Sequence, residues 1–175
     1  MTSTKSSFVS LHGKRIGLAP GHLRLDGNPV GPPLNVAAAA AGNTATTTAV
    51  TLKSYSLPGG SLAAASQGVY VKAFGRFAGN DRNKRATLTI GGVSITTSSV
   101  TNSGDAWMLE GRYYKTGSST QRALTSGIIG STHLALASTT DTATDTSDIT
   151  ISLAATSGSG SASDILCDVL EVGYL

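Results

Sequence analysis

Residues 69–79, VYVKAFGRFAG, are followed by RATLTIGG at 85–92, VSITTSS at 93–99 and AWMLEGRYYK at 106–115. These four runs decide the fold. Each alternates apolar and polar residues with period two, and each is bounded by Gly, Asn, Asp or Ser, the pattern of short half-buried strands joined by turns. The alternation places Val69, Val71, Ala73 and Phe77 on one face of the first strand, and Trp107, Leu109 and Tyr113 on one face of the last. Tyr70, Phe74 and Tyr114 fall on the opposite phase, which makes them candidates for contact with a partner subunit or a glycan.

Working outward, the spacing predicts nine strands at about 44–57, 68–78, 84–90, 92–98, 106–115, 120–128, 131–138, 147–155 and 163–174. Turns fall at Pro58-Gly59-Gly60, Gly79-Asn80-Asp81, Gly91-Gly92, Asn102-Ser103-Gly104, Gly117-Ser118 and Gly158-Ser159-Gly160. Nine short strands suit an all-β, jelly-roll-like antiparallel β-sandwich, and the Cys, Trp, Cys spacing of an immunoglobulin domain is absent. The Thr/Ser-rich stretches near 96–103 and 138–147 read as loops.

Residues 1–35 have a different character. GKRIGLAPGHLRLDGNPVGPPL holds four of the chain's five prolines among short apolar pairs. Proline fixes φ and removes a donor, which excludes a helix or a central strand, although HLRLDGNPV can form a small hairpin across Asp26-Gly27. An extended N-terminal docking arm is expected, then a connector at 36–43 built on an alanine run that Gly42 stops from nucleating a helix, then the sandwich at 44–175.

The chain has 175 residues, 13% of them charged and 5% aromatic. A core built from Val, Ile, Leu and Ala buries little apolar area per residue, so completion by partner subunits is expected. Cys167, the one cysteine, lies in the apolar run ILCDVLEV, where it reads as a buried structural thiol. No intrachain disulfide can form, which fits synthesis in a reducing cytoplasm. Neither a signal peptide nor a run long enough to span a membrane is evident, so no Sec export and no membrane partner are expected. The net charge of +3 is unevenly placed. Lys5, Lys14, Arg15 and Arg24 precede the first acid, Asp26, whereas after Arg122 only acids follow, among them Asp164, Asp168 and Glu171. That asymmetry suits a basic arm meeting an acidic neighbour.

Chemistry-bearing patterns are sparse. His12, His22 and His133 lack metal-ligand spacing, and Asp141, Asp145 and Asp148 lack the ligand order of a calcium loop, so no metal is expected. No serine occupies a G-x-S-x-G elbow, and Asp105 and Glu110, five apart, read as a turn residue and a surface residue rather than a glycosidase pair. Arg76, Arg82, Lys84 and Arg85 read as solubilising charges at a hairpin tip, without the broad basic field of a nucleic-acid surface. No phosphate-binding glycine pattern occurs, and no enzyme activity or cofactor is expected.

The succession from Leu57 through Gly111 resembles jelly-roll virion structural proteins of tailed bacteriophages, over about residues 50–130. The matching positions are Leu57, Pro58, Gly60, Leu62, Gly75, Leu88, Gly92, Trp107, Leu109 and Gly111. The resemblance implies a fold and a virion context, with no catalytic residues. It implies a capsid decoration (cement) or head-fibre subunit, a homotrimer made in the host bacterial cytoplasm. The partner would be another virion protein, such as the major capsid protein or a tail protein. The arm then becomes the anchor, with Ile16, Leu18, Leu23, Leu25 and Val30 packing on that partner and Arg15 and Arg24 meeting its acids. The alternative is a tail-fibre or spike module that binds a bacterial surface glycan.

Overall fold

A computed structural model describes residues 34–101, 104–142, 146–158 and 161–175, together with the backbone of four N-terminal strands. The chain is all-β, a jelly-roll-like antiparallel sandwich of two sheets. The N-terminal strands are β1 (Phe8–Leu11), β2 (Lys14–Ala19), β3 (His22–Leu25) and β4 (Asn28–Pro29), paired in sequence order as a sheet of their own. The segment expected as extended arm is therefore a small meander. Its last two strands pair Leu25 with Asn28 and Arg24 with Pro29; Asp26 and Gly27, where the turn is expected, lie outside the described residues.

The smaller sheet of the sandwich joins β7 (Val50–Leu57), β9 (Lys84–Ile90), β10 (Val93–Thr96) and β14 (Ile149–Ser157) in the order β10-β9-β14-β7. The larger has the order β13-β12-β11-β8-β15-β5 and is made of β5 (Asn35–Ala37), β8 (Gly68–Phe77), β11 (Ala106–Gly117), β12 (Thr120–Ile129), β13 (Thr132–Asp141) and β15 (Ile165–Tyr174). A two-residue strand, β6 (Ala41–Gly42), also pairs with β15. The residues expected as a connector thus extend a sheet along the free edge of β15, which satisfies backbone groups that a plain linker would leave open. Residues 44–49, expected as strand, lie outside β7, and Thr46 and Thr48 bond to each other instead. At the other end of the sandwich β13 runs on to Asp141, through residues expected as loop.

The inner faces follow the predicted phase. Val69, Val71, Ala73, Phe77, Trp107, Leu109 and Tyr113 are all buried, facing Leu88, Ile90, Ile151 and Leu153 of the smaller sheet. Tyr55 packs at the margin of the core, half-buried on the edge strand β7. Cys167 is fully buried, and desolvation pushes its thiol up to about 11, which makes it inert. β15 carries a bulge between Cys167 and Val169, so the buried parity switches from Ile165 and Cys167 to Leu170 and Val172.

Three glycines within the strands, Gly75, Gly173 and Gly68, make room for neighbouring aromatic rings. Trp107 is the register partner of Gly75, and a Cβ on Gly75 would lie 2.3 Å from its ring and 1.9 Å from the Leu166 carbonyl oxygen. Tyr70 stands opposite Gly173 and Tyr114 opposite Gly68, with ring atoms 2.4 Å and 2.8 Å from the missing Cβ positions. In each pair the ring lies across the neighbouring strand in space that only glycine leaves open.

Candidate functional site

The outer face of the larger sheet carries the concave surface. Register aligns Ser126, Glu110, Lys72 and Glu171 in one row across β12, β11, β8 and β15, and Leu124, Arg112, Tyr70 and Gly173 in the next. Because side chains alternate along each strand, both rows point away from the core. All of their residues but Gly173 line a depression of about 460 Å³, together with Leu136 and Leu175.

Within it the polar groups are ordered. The Tyr70 hydroxyl donates to Glu171 Oε1 at 2.7 Å, and the Ser126 hydroxyl donates to Glu110 Oε1 at 2.8 Å. Donation to Glu171, aided by some desolvation and by the carboxylate's charge, raises the Tyr70 phenol above its ordinary value. Lys72 lies between the two glutamates in the register, yet among the described residues neither Lys72 nor Arg112 forms an ion pair. Two acids and two bases leave the depression formally neutral.

Leu136 owes its position to a bulge. Between Thr125 and Gly127 of β12 the partner strand β13 advances from Ala137 to Leu134, one residue more than strict pairing allows. Leu134 packs against the core and Leu136, 74% exposed, reaches the outer depression, although two residues apart they would share a face in an unbulged strand. A second depression of about 470 Å³ adjoins the first, sharing Leu124 and lined also by Tyr114, Ser66 and Arg122.

Of the residues expected to contact a partner or glycan, Tyr70, Phe74 and Tyr114 all lie on this outer face. Tyr70 and Tyr114 line the two depressions and Phe74 lines neither. Period two identified the tyrosines but not Lys72, Glu110, Arg112, Ser126 and Glu171, whose phase relative to Tyr70 becomes meaningful only once the strand order is known. Of the anchoring residues, Arg15, Ile16 and Leu18 lie in β2, and Leu23, Arg24 and Leu25 in β3. Val30 lies outside the described residues. Register aligns Val9, Ile16 and Leu25 in one cross-strand row and Leu18 with Leu23 in another, while Arg24 pairs with Gly17 and Arg15 with Ser10.

The remaining charged groups take structural roles. Lys84, expected at a solvated hairpin tip, is fully buried and donates from Nζ to the Asn80 carbonyl at 2.7 Å and to Asn80 Oδ1 at 2.9 Å. Burial opposes ionisation of the neighbouring Asp164, but hydrogen bonds from Ser157 and Asn80 and the charges of Arg82 and Lys84 outweigh it and lower its pKa. Arg76 pairs with Asp168 at 3.2 Å. Asp141, at the end of β13, accepts from the Gly92 N–H at 2.9 Å and from the Tyr113 hydroxyl at 2.5 Å, and so ties the larger sheet to the β9–β10 turn. Asp148 caps a different turn, accepting from Ser56 and the Gly59 N–H, and Asp145 lies outside the described residues. Among the described residues no group of three or more acidic, histidine or cysteine side chains is placed to hold a metal ion.

No protein-family model, curated protein or solved structure matches the chain at a significant level. The bacteriophage resemblance accordingly rests on the residues that carry it.

Proposed function

We propose that this chain is a non-enzymatic structural subunit of a bacteriophage virion, a capsid decoration or head-fibre protein anchored by its N-terminal segment. The observation that carries the reading is the register of the N-terminal sheet. Of the residues singled out as anchors, Ile16 and Leu25 align in one row, which Val9 extends, and Leu18 and Leu23 in another, with Arg15 and Arg24 in the alternate rows. A four-stranded meander that is apolar in alternate rows is too small to enclose a core of its own, and a partner surface supplies the missing layer. That surface belongs to another virion protein such as the major capsid protein, while Arg15 and Arg24, in the alternate rows and so on the opposite face, meet acidic groups of a second, flanking surface.

Self-association is supported by β13, a ten-residue edge strand exposed along nearly its whole length, and the homotrimer is what the resemblance implies. A subunit that binds only the assembled shell stabilises it by mass action against disassembly. The subunit is made in the host cytoplasm and resides in the virion.

Deleting residues 1–34 tests the anchor. The truncated chain is expected to retain a β-rich circular dichroism spectrum and to be lost from purified particles; normal incorporation refutes the reading. Antibody labelling of intact particles assigns the location, with head-wide labelling expected and labelling confined to the tail tip pointing to the tail-fibre alternative.

A further inference from the structure

We propose that the paired depressions on the outer face of the larger sheet form a binding site for a neutral oligosaccharide. The inference stands on that face alone and does not depend on the anchor or on a virion location.

Charge comes first. Glu110 and Glu171 are offset by Lys72 and Arg112, so the first depression is formally neutral; the second holds Lys115 and Arg122 without an acid, and both of those cations donate to protein oxygens, Lys115 to the Ala63 carbonyl and Arg122 to Ser138. What the first offers is an alternating array of donors and acceptors. Glu110 and Glu171 each accept a protein hydroxyl at Oε1, and the two cations form no ion pair among the described residues. Sugar hydroxyls both donate and accept, and they match such an array, whereas a phosphate or a carboxylate would need the cations without the acids.

Apolar walls come second. A pyranose ring has an apolar C–H face as well as hydroxyls at its rim, and it needs an aromatic or aliphatic surface beside its polar contacts. Tyr70 supplies one, held across the sheet over Gly173 and fixed by its bond to Glu171. Leu136 supplies another, and its outward position requires the extra residue in β13. A bulge that turns a leucine out of the core, leaving it 74% exposed beside a polar groove, is hard to account for by stability alone.

Length comes third. Depressions of about 460 and 470 Å³ adjoin at Leu124, and each has a tyrosine laid over a glycine, Tyr70 over Gly173 and Tyr114 over Gly68. Two tyrosine platforms side by side suit a ligand made of repeating rings better than one compact molecule.

Titration of the full-length, ¹⁵N-labelled chain with maltotriose, cellotriose and tri-N-acetylchitotriose, each to about 20 mM, tests this at the weak affinities open sites show. At least one trisaccharide is expected to give saturable amide shifts centred on Tyr70, Lys72, Glu110, Arg112 and Tyr114. Leu136→Asp changes an exposed side chain and keeps the fold, and it is expected to weaken binding about fivefold or more, as is Tyr70→Ala. His133→Ala, on an exposed position outside both depressions, is expected to leave binding unchanged. Absence of saturable shifts with all three sugars overturns the proposal, as do shifts centred elsewhere or undiminished binding by both groove variants. None of those outcomes touches the anchor reading, which the particle experiment decides.

Discussion

Gly75→Ala is a stringent probe of how the larger sheet is assembled. A Cβ at this position would stand 1.9 Å from the Leu166 carbonyl oxygen and 2.3 Å from Trp107 Cζ2, with Trp107 Cε2 at 2.7 Å. The carbonyl belongs to β15, paired on one side of β8, and the indole to β11, paired on the other. Neither neighbour can yield cheaply. Trp107 is 2% exposed and packs against Phe77 at 6.0 Å, so its ring has no free volume to enter, and moving the carbonyl breaks the β8–β15 ladder beside an existing bulge. Overpacking of a dense core costs about 1–3 kcal/mol, and a clash with backbone puts Gly75→Ala at the top of that range, about 3 kcal/mol. Urea unfolding followed by fluorescence of the single tryptophan reads the effect at the ring concerned. With a slope of about 2 kcal/mol per M, the midpoint should fall by about 1.5 M. Gly79→Ala is the internal control, because the nearest atoms to its Cβ position are 3.9 Å away, and its midpoint should move by less than about 0.3 M. A Gly75→Ala midpoint as close to wild type as that of Gly79→Ala would refute the ring-over-glycine account of this sheet.

Asp141→Asn should flatten the acid limb of the stability curve. Burial raises the Asp141 pKa, but the Gly92 N–H, the Tyr113 hydroxyl and the Thr142 N–H together bring it below the usual carboxylate value. A depressed folded-state pKa means that the stabilisation is complete above the unfolded value near 3.8 and is lost as pH falls through the folded one. Thermal melts from pH 6 to about pH 2 should therefore converge at the acid end, with wild type ahead by about 1–2 kcal/mol at pH 6; parallel curves would contradict the assignment. Asp164 and Asp148 are lowered as well, so the melting temperature of the variant should still decline with acid, less steeply than that of wild type. Lys84→Ala removes the donor to Asn80 in a fully buried setting and should cost about 3 kcal/mol, whereas Lys84→Met, which refills the volume, should cost less, both by urea unfolding. Equal losses would show that the ammonium, not the volume, carries the effect.

Much of the fold was legible in the sequence because each strand has one buried face. Wherever a strand kept strict period two, as at Val69–Phe77 and Trp107–Tyr113, alternation alone gave the inward residues. Reading became less reliable where an extra residue enters a strand. In ILCDVLEV the buried positions are Ile165 and Cys167, then Leu170 and Val172, and that change of parity is visible in the sequence once a bulge is suspected. In THLALASTTD it is not visible, because Leu134 and Leu136 look equivalent until the pairing with β12 separates them. Lys84 was misread for a related reason. Arg82 belongs to a polar turn and Arg85 is exposed on the strand, but β9 begins at Lys84 with its buried phase, so the position is set by the strand and not by composition.

The same logic explains why the candidate site was only half visible. A site on a sheet face is assembled from one or two residues on each of several strands, and sequence shows which residues share a face within a strand but not which strands lie side by side. Tyr70 and Tyr114 could be found from phase alone. Glu110 and Glu171 become partners in one site because β11 and β15 both flank β8, placing Lys72 between them. The strand glycines carry the one signal that crosses this gap. Gly68, Gly75 and Gly173 interrupt strands otherwise rich in β-formers, at a cost in strand propensity, and each is the register partner of an aromatic residue elsewhere in the chain. Not every strand glycine does this, since Gly111 and Gly127 make room for Ile90 and for Leu109 and Leu134 instead. The three glycine–aromatic pairs order β11, β8 and β15 side by side, the arrangement that places both tyrosines and both glutamates on one outer face.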